Sequence, residues 1–239
     1  MESYSNLVSN YGFSAIGIDD LGATEYTLVT IACDTSQSVQ GDKVQMEACL
    51  KEIVQACRTS PRKDHLMLRL LTFDDTVHEI HGFKPLQDCK VNNYVDCLNI
   101  GCYTALNDAV VNSLESLKKY GQELVDNDFG TNGILVVITD GFNNLSSASI
   151  ADAKQILDDI NKEESLESLV TILVGIKSSS ELNVYLTGFK NDIGFDQYVD
   201  LADASAATLS KLAKFVSKSI SSQSQALGTG QAPARRMIF

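Results

Sequence analysis

Runs of apolar and β-branched residues, each too short to be a self-burying helix, recur along this chain with helically spaced apolar residues between them. The runs are Tyr26–Cys33, Leu66–Phe73, Ile134–Thr139, Leu169–Val174 and Gln197–Leu201; helical spacing marks Val44–Cys57, Leu106–Leu117, Ile150–Ile160 and Thr208–Ile220. Such alternation points to βαβ units and a mostly parallel sheet. The uninterrupted Ile134-Leu135-Val136-Val137-Ile138 demands burial on both faces, as a helix-covered parallel sheet provides. Phe73-Asp74-Asp75-Thr76-Val77 reads as a tight turn into a short strand, Val77–Ile80, pairing antiparallel at one edge. A further strand is expected over Phe13–Ile18.

At 239 residues, one α/β domain buries most of its apolar surface without cross-links. The expectation is a domain over 1–220, with an arm at 1–25, followed by a flexible tail from 221 to 239, where Ser221-Ser222-Gln223-Ser224-Gln225 and Gly228-Thr229-Gly230 change the composition. The tail ends in Arg235-Arg236-Met237-Ile238-Phe239, two cations and three large apolar groups suited to docking in a groove of this chain or a partner. No apolar run is long enough to span a bilayer, and the first residues show no secretory signal, so a cytoplasmic location is expected. A formal charge of −12 argues against binding the phosphate backbone of nucleic acid.

The six cysteines form no C-x-x-C pair and read as reduced thiols, Cys33, Cys49 and Cys57 in the core. Zinc at Cys89, Cys97 and Cys102 with His78 and His81 lacks a spacing signature. The chemistry sits instead in oxygens placed just after strands, where open parallel sheets bind ligands. Asp34, Ser36 and Ser38 follow the first run, Thr104 opens a helix in Gly101-Cys102-Tyr103-Thr104-Ala105-Leu106, and Asp140 stands between Thr139 and Gly141. Each segment alone could be a turn or a helix cap. Together they supply hydroxyl and carboxylate oxygens of the kind that Mg²⁺, Mn²⁺ or Ca²⁺ prefers.

The three segments, in this order, resemble the metal-ion-dependent adhesion site (MIDAS) of von Willebrand factor A domains. The resemblance implies a doubly wound, Rossmann-like sheet with helices on both faces. It also implies that Ser36, Ser38 and Thr104 touch the metal while Asp34 and Asp140 act partly through water, and that a partner protein's Asp or Glu completes the coordination. Without a visible signal or anchor the chain looks like the bacterial and phage intracellular members, some of them products of stress-response clusters, which act as adaptors. An enzyme is less well supported: a haloacid-dehalogenase-type phosphatase needs an acid where Ser36 stands, and no phosphate loop, dinucleotide fingerprint or nucleophile elbow is present. A metal-dependent hydrolase of phosphorylated substrates is the alternative to a non-enzymatic interaction module.

Overall fold

The computed structural model describes residues 13–230 and residue 239. In β1 (Glu25–Asp34), Val29, Ile31 and Cys33 face one side of the sheet while Leu28 and Ala32 face the other, so a single strand feeds two cores. β2 (Leu66–Phe73), β3 (Val77–Pro85), β4 (Gly130–Thr139), β5 (Ser168–Ile176) and β6 (Gln197–Leu201) complete a six-stranded sheet in the order β3-β2-β1-β4-β5-β6. β1 runs parallel to both β2 and β4, β4 to β5 and β5 to β6; only β3, beside β2, is antiparallel. The chain order turns around between β1 and β4, which opens a crevice at their carboxyl ends.

α1 (Lys43–Arg58) and α5 (Ala206–Thr229) cover one face, and α2 (Leu106–Asp126), α3 (Ile150–Glu163) and α4 (Ser180–Ile193) the other. α4 escapes the periodicity reading because Val184 lies exposed and Thr187 and Gly188 weaken its helical pattern, yet its caps are regular. The Ser179 hydroxyl accepts from the Leu182 amide, and Gly194 closes the helix with a φ of 99°.

Two expectations change. The segment Phe13–Ile18 makes a single bridge rather than a strand: Phe83 N–H donates to Ser14 O (2.8 Å) and Ile16 N–H to Phe83 O (2.9 Å). A Cβ on Gly82 would collide with the Ser14 carbonyl, so a glycine is needed for the arm to approach β3. The expected flexible tail does not begin at 221, because α5 continues to Thr229. Polar residues there are buried for a reason: Gln223 Nε2 donates to Ser168 Oγ (2.7 Å), Asn132 Nδ2 to Gln223 O (3.1 Å) and Arg62 Nε to Ser224 Oγ (3.2 Å). A serine- and glutamine-rich stretch is thus helical because partners for its polar groups wait at the amino ends of β4 and β5. Arg235, Arg236, Met237 and Ile238 lie outside the described residues, whereas the Phe239 ring sits 5.6 Å from that of Phe215 on α5 and is half exposed.

Candidate functional site

The last residue of β1, Asp34, is fully buried. It accepts the Thr139 hydroxyl (2.5 Å) from the end of β4 and the Ser36 amide (2.8 Å) from its own loop. Beside it, Ser38 Oγ donates to Asp140 Oδ1 (2.6 Å), and with that proton committed the Ser36 hydroxyl is the donor across the 3.1 Å to Ser38 Oγ. Thr104 enters from the loop before α2. A Cβ on Gly141 would lie 3.2 Å from Thr104 Oγ1 and 3.8 Å from Asp34 Oδ2, so both oxygens border the space this glycine leaves open. The Thr104 hydroxyl donates to neither carboxylate. All five residues singled out in the sequence, Asp34, Ser36, Ser38, Thr104 and Asp140, therefore come together where the end of β1, the segments after β1 and β4, and the loop before α2 meet.

The electrostatics are unbalanced. Burial pushes the Asp34 carboxyl up to about 6, with the Asp140 charge adding to the rise and the hydrogen bonds from Thr139 and Ser36 opposing it. Asp140 is also raised, chiefly by burial. Among the described residues no Lys, Arg or His lies within ion-pair distance of either acid, and the nearby Lys177 ammonium is committed to Asp42 at 2.5 Å. No three His, Cys, Asp or Glu side chains of the described residues group closely enough to hold a metal, because the donors here are mostly hydroxyls. The histidines are engaged elsewhere: His81 Nε2 meets the Tyr94 hydroxyl at 2.9 Å, with burial bringing the ring down to about 4, and His78 meets Asp74 at 3.0 Å.

A supporting layer is not evident in the sequence. Asp75 accepts the Cys102 and Tyr103 amides (3.1 and 2.7 Å), Asp74 O accepts the Ala105 amide (2.8 Å), and Thr35 O accepts the Gly101 amide (2.8 Å). A Cβ on Gly101 would run into the Asp74 carboxylate. Asn144 closes the other side, its Oδ1 accepting the Thr104 amide (2.8 Å) while its own amide donates to Thr104 O (3.0 Å). The Asp74-Asp75 pair reads in sequence as a turn, which it makes through Asp74 N–H to Thr76 O (3.0 Å). Its second task, holding the Thr104 loop, depends on β2 lying beside β1. Thr139, immediately before Asp140, holds the Asp34 carboxylate, a role that its place at the strand end marks.

No protein-family model matches the chain, and no curated protein matches it in sequence. Proteins of known structure do. The PilB minor pilin of Streptococcus sanguinis superposes with a TM-score of 0.61 at 15% identity over 91% of this chain, which spans 66% of the pilin. Proximal thread matrix protein 1 of the mussel byssus, in a form with a zinc-occupied MIDAS motif, gives 0.54 at 19% identity over 83% of this chain and 46% of its own. An aerotolerance-related membrane protein from Bacteroides fragilis gives 0.55 at 15% identity over 81% of this chain and 98% of its own. At these identities the likeness is one of architecture: the chain has a doubly wound, mostly parallel α/β fold of the von Willebrand factor A type.

Proposed function

We propose that this chain is a metal-dependent protein-interaction module, an adaptor rather than an enzyme, that binds a partner's Asp or Glu through a divalent cation. The observation that carries the reading is a fully buried carboxylate, Asp34, beside the half-buried Asp140, with no counter-charge in ion-pair reach of either among the described residues and with the hydroxyls of Ser36, Ser38 and Thr104 around them. Burying such charges unpaired is costly, and a cation offsets that cost. Neutral hydroxyl oxygens with two carboxylates fit Mg²⁺, Mn²⁺ or Ca²⁺. Ser36, Ser38 and Thr104 would hold it through neutral oxygens and Asp34 and Asp140 through charge, with Asp75 and Asn144 fixing the Thr104 loop. When bound, the cation supplies a Lewis-acidic position for an incoming carboxylate.

The mussel protein's zinc-occupied motif supports the choice of a divalent metal. A protein partner is favoured by the rim, where Tyr103, Phe142 and Leu145 expose 52%, 45% and 44% of their surface on the loops that carry Thr104 and Asp140. Saturating Mg²⁺, at about 100 times its Kd, is expected to stabilise the protein by about 2.7 kcal/mol over a chelated sample in a melting experiment. Ser36→Ala and Asp34→Ala should each remove the increase. Identical melting curves with Mg²⁺, Mn²⁺, Ca²⁺ and chelator would overturn the metal site, and Asp34-dependent turnover of phosphoesters would replace the module with a hydrolase.

A further inference from the structure

Thr139 lies level with Gly175 across β4 and β5, so Asp140 and Lys177, the residues that follow these two strands, leave the sheet side by side. The backbone of Lys177 is left-handed (φ 53°), a conformation a lysine rarely adopts, and its amide donates to Leu201 O at the end of β6 (2.8 Å). Strain of this kind collects where a side chain must be aimed. Here the ammonium is aimed at Asp42, donating to its Oδ2 at 2.5 Å.

Asp42 is nine-tenths buried and ends the 3₁₀ segment Gln37–Asp42, which starts directly after Ser36 and carries Ser38. It stands immediately before α1, where an aspartate ordinarily accepts from the first helical amides, yet its side chain makes no such bond. Its carboxylate serves Lys177 instead. The pair therefore ties the loop bearing Ser36 and Ser38 to the end of β5. Both charges are also felt at the site: beyond the rise that burial gives the Asp140 carboxyl, Asp42 pushes it up and Lys177 pulls it down.

Toward a divalent cation the two residues have opposite signs. Lys177 repels the ion and cancels the attraction of Asp42, whose carboxylate would otherwise add a third negative charge to those of Asp34 and Asp140. We propose, resting on the cation reading given above, that the Asp42–Lys177 pair is an electrostatic brake on the metal site, holding down its affinity for the bare ion. Lys177 is thus a positioning residue that acts through Asp42. The charge it withholds is the one a partner's carboxylate brings, which makes firm retention of the ion depend on the partner.

Titration of the full chain with Mn²⁺, followed by loss of the free ion's electron paramagnetic resonance signal, tests the brake with no partner present. Lys177→Met should tighten the binding component that Ser36→Ala removes about tenfold, Lys177→Arg should keep the parent value, and Asp42→Asn should weaken it. A pair whose only role is to hold the loop gives the reverse for Lys177→Met, because loosening Ser36 and Ser38 weakens binding. Lys218→Met, at an exposed lysine on α5, removes the same charge elsewhere and should change nothing. Unchanged or weaker binding by Lys177→Met beside a parent that binds, or equal tightening by Lys177→Arg or Lys218→Met, would overturn the brake and leave the cation site standing. No Ser36-dependent binding by the parent or any variant would overturn both.

Discussion

Arg69 in β2 and Asp34 at the end of β1 are both fully buried charges on adjacent parallel strands, and they are treated in opposite ways. Arg69 donates through Nε to Glu79 (2.8 Å), through one terminal nitrogen to Ser116 (3.2 Å) and through the other to Asn112 (2.8 Å), and its guanidinium stands 5.8 Å from the Phe13 ring centroid. Glu79 in turn accepts the Ser14 amide and hydroxyl (2.9 and 2.7 Å), which ties the arm to the sheet edge. Asp34 has hydrogen bonds but no counter-charge in ion-pair reach among the described residues, and the Asp140 charge raises its carboxyl further. The Arg69 charge is neutralised within the chain, whereas Asp34 is left for the cation proposed above.

The sharpest way to break this contrast is to remove Arg69. Arg69→Ala should cost about 3–5 kcal/mol, because it strips Glu79 of its partner as well as emptying a packed position; urea unfolding measures it, and a cost under about 1 kcal/mol would mean the network is incidental. A smaller effect of opposite sign is expected at Asp34. Its folded carboxyl titrates at about 6 against an ordinary 3.8, so the folded state binds more protons between these values and stability falls as pH rises through them. In chelator Asp34→Asn should therefore stabilise at pH 7 by up to about 3 kcal/mol and lose that advantage as pH falls below 4. A variant less stable than the parent at pH 7 would show that the hydrogen bonds from Thr139 and Ser36 outweigh desolvation. Gln223→Ala probes the neutral counterpart at the amino ends of the strands, with an expected cost of about 1–2 kcal/mol and no response to metal or pH; a response to either would erase the distinction between the two ends of the sheet.

Much of this was legible in the sequence because strands buried on both faces announce themselves as continuous apolar runs, as in Ile134–Ile138. The start of β4 at Gly130-Thr131-Asn132 did not, since its polar groups are satisfied by Ser168 and Gln223, distant in the chain. For the same reason the last turns of α5 passed for a tail. The oxygen-bearing residues could be picked out because each directly follows a strand or opens a helix. The hold of Asp75 on the Thr104 loop could not, because it spans 28 positions and exists only once β2 lies against β1.

The two outermost strands carry a consequence of their own. β6 has five residues, and β3 departs from regular register between Leu68 and Leu71, ends in Lys84-Pro85 and takes the arm across Phe83. Among the described residues neither border offers a long, flat row of unpaired amides for another copy to extend. The sheet is thereby guarded against fibril-like growth, and association with other chains is left to side chains instead of backbone.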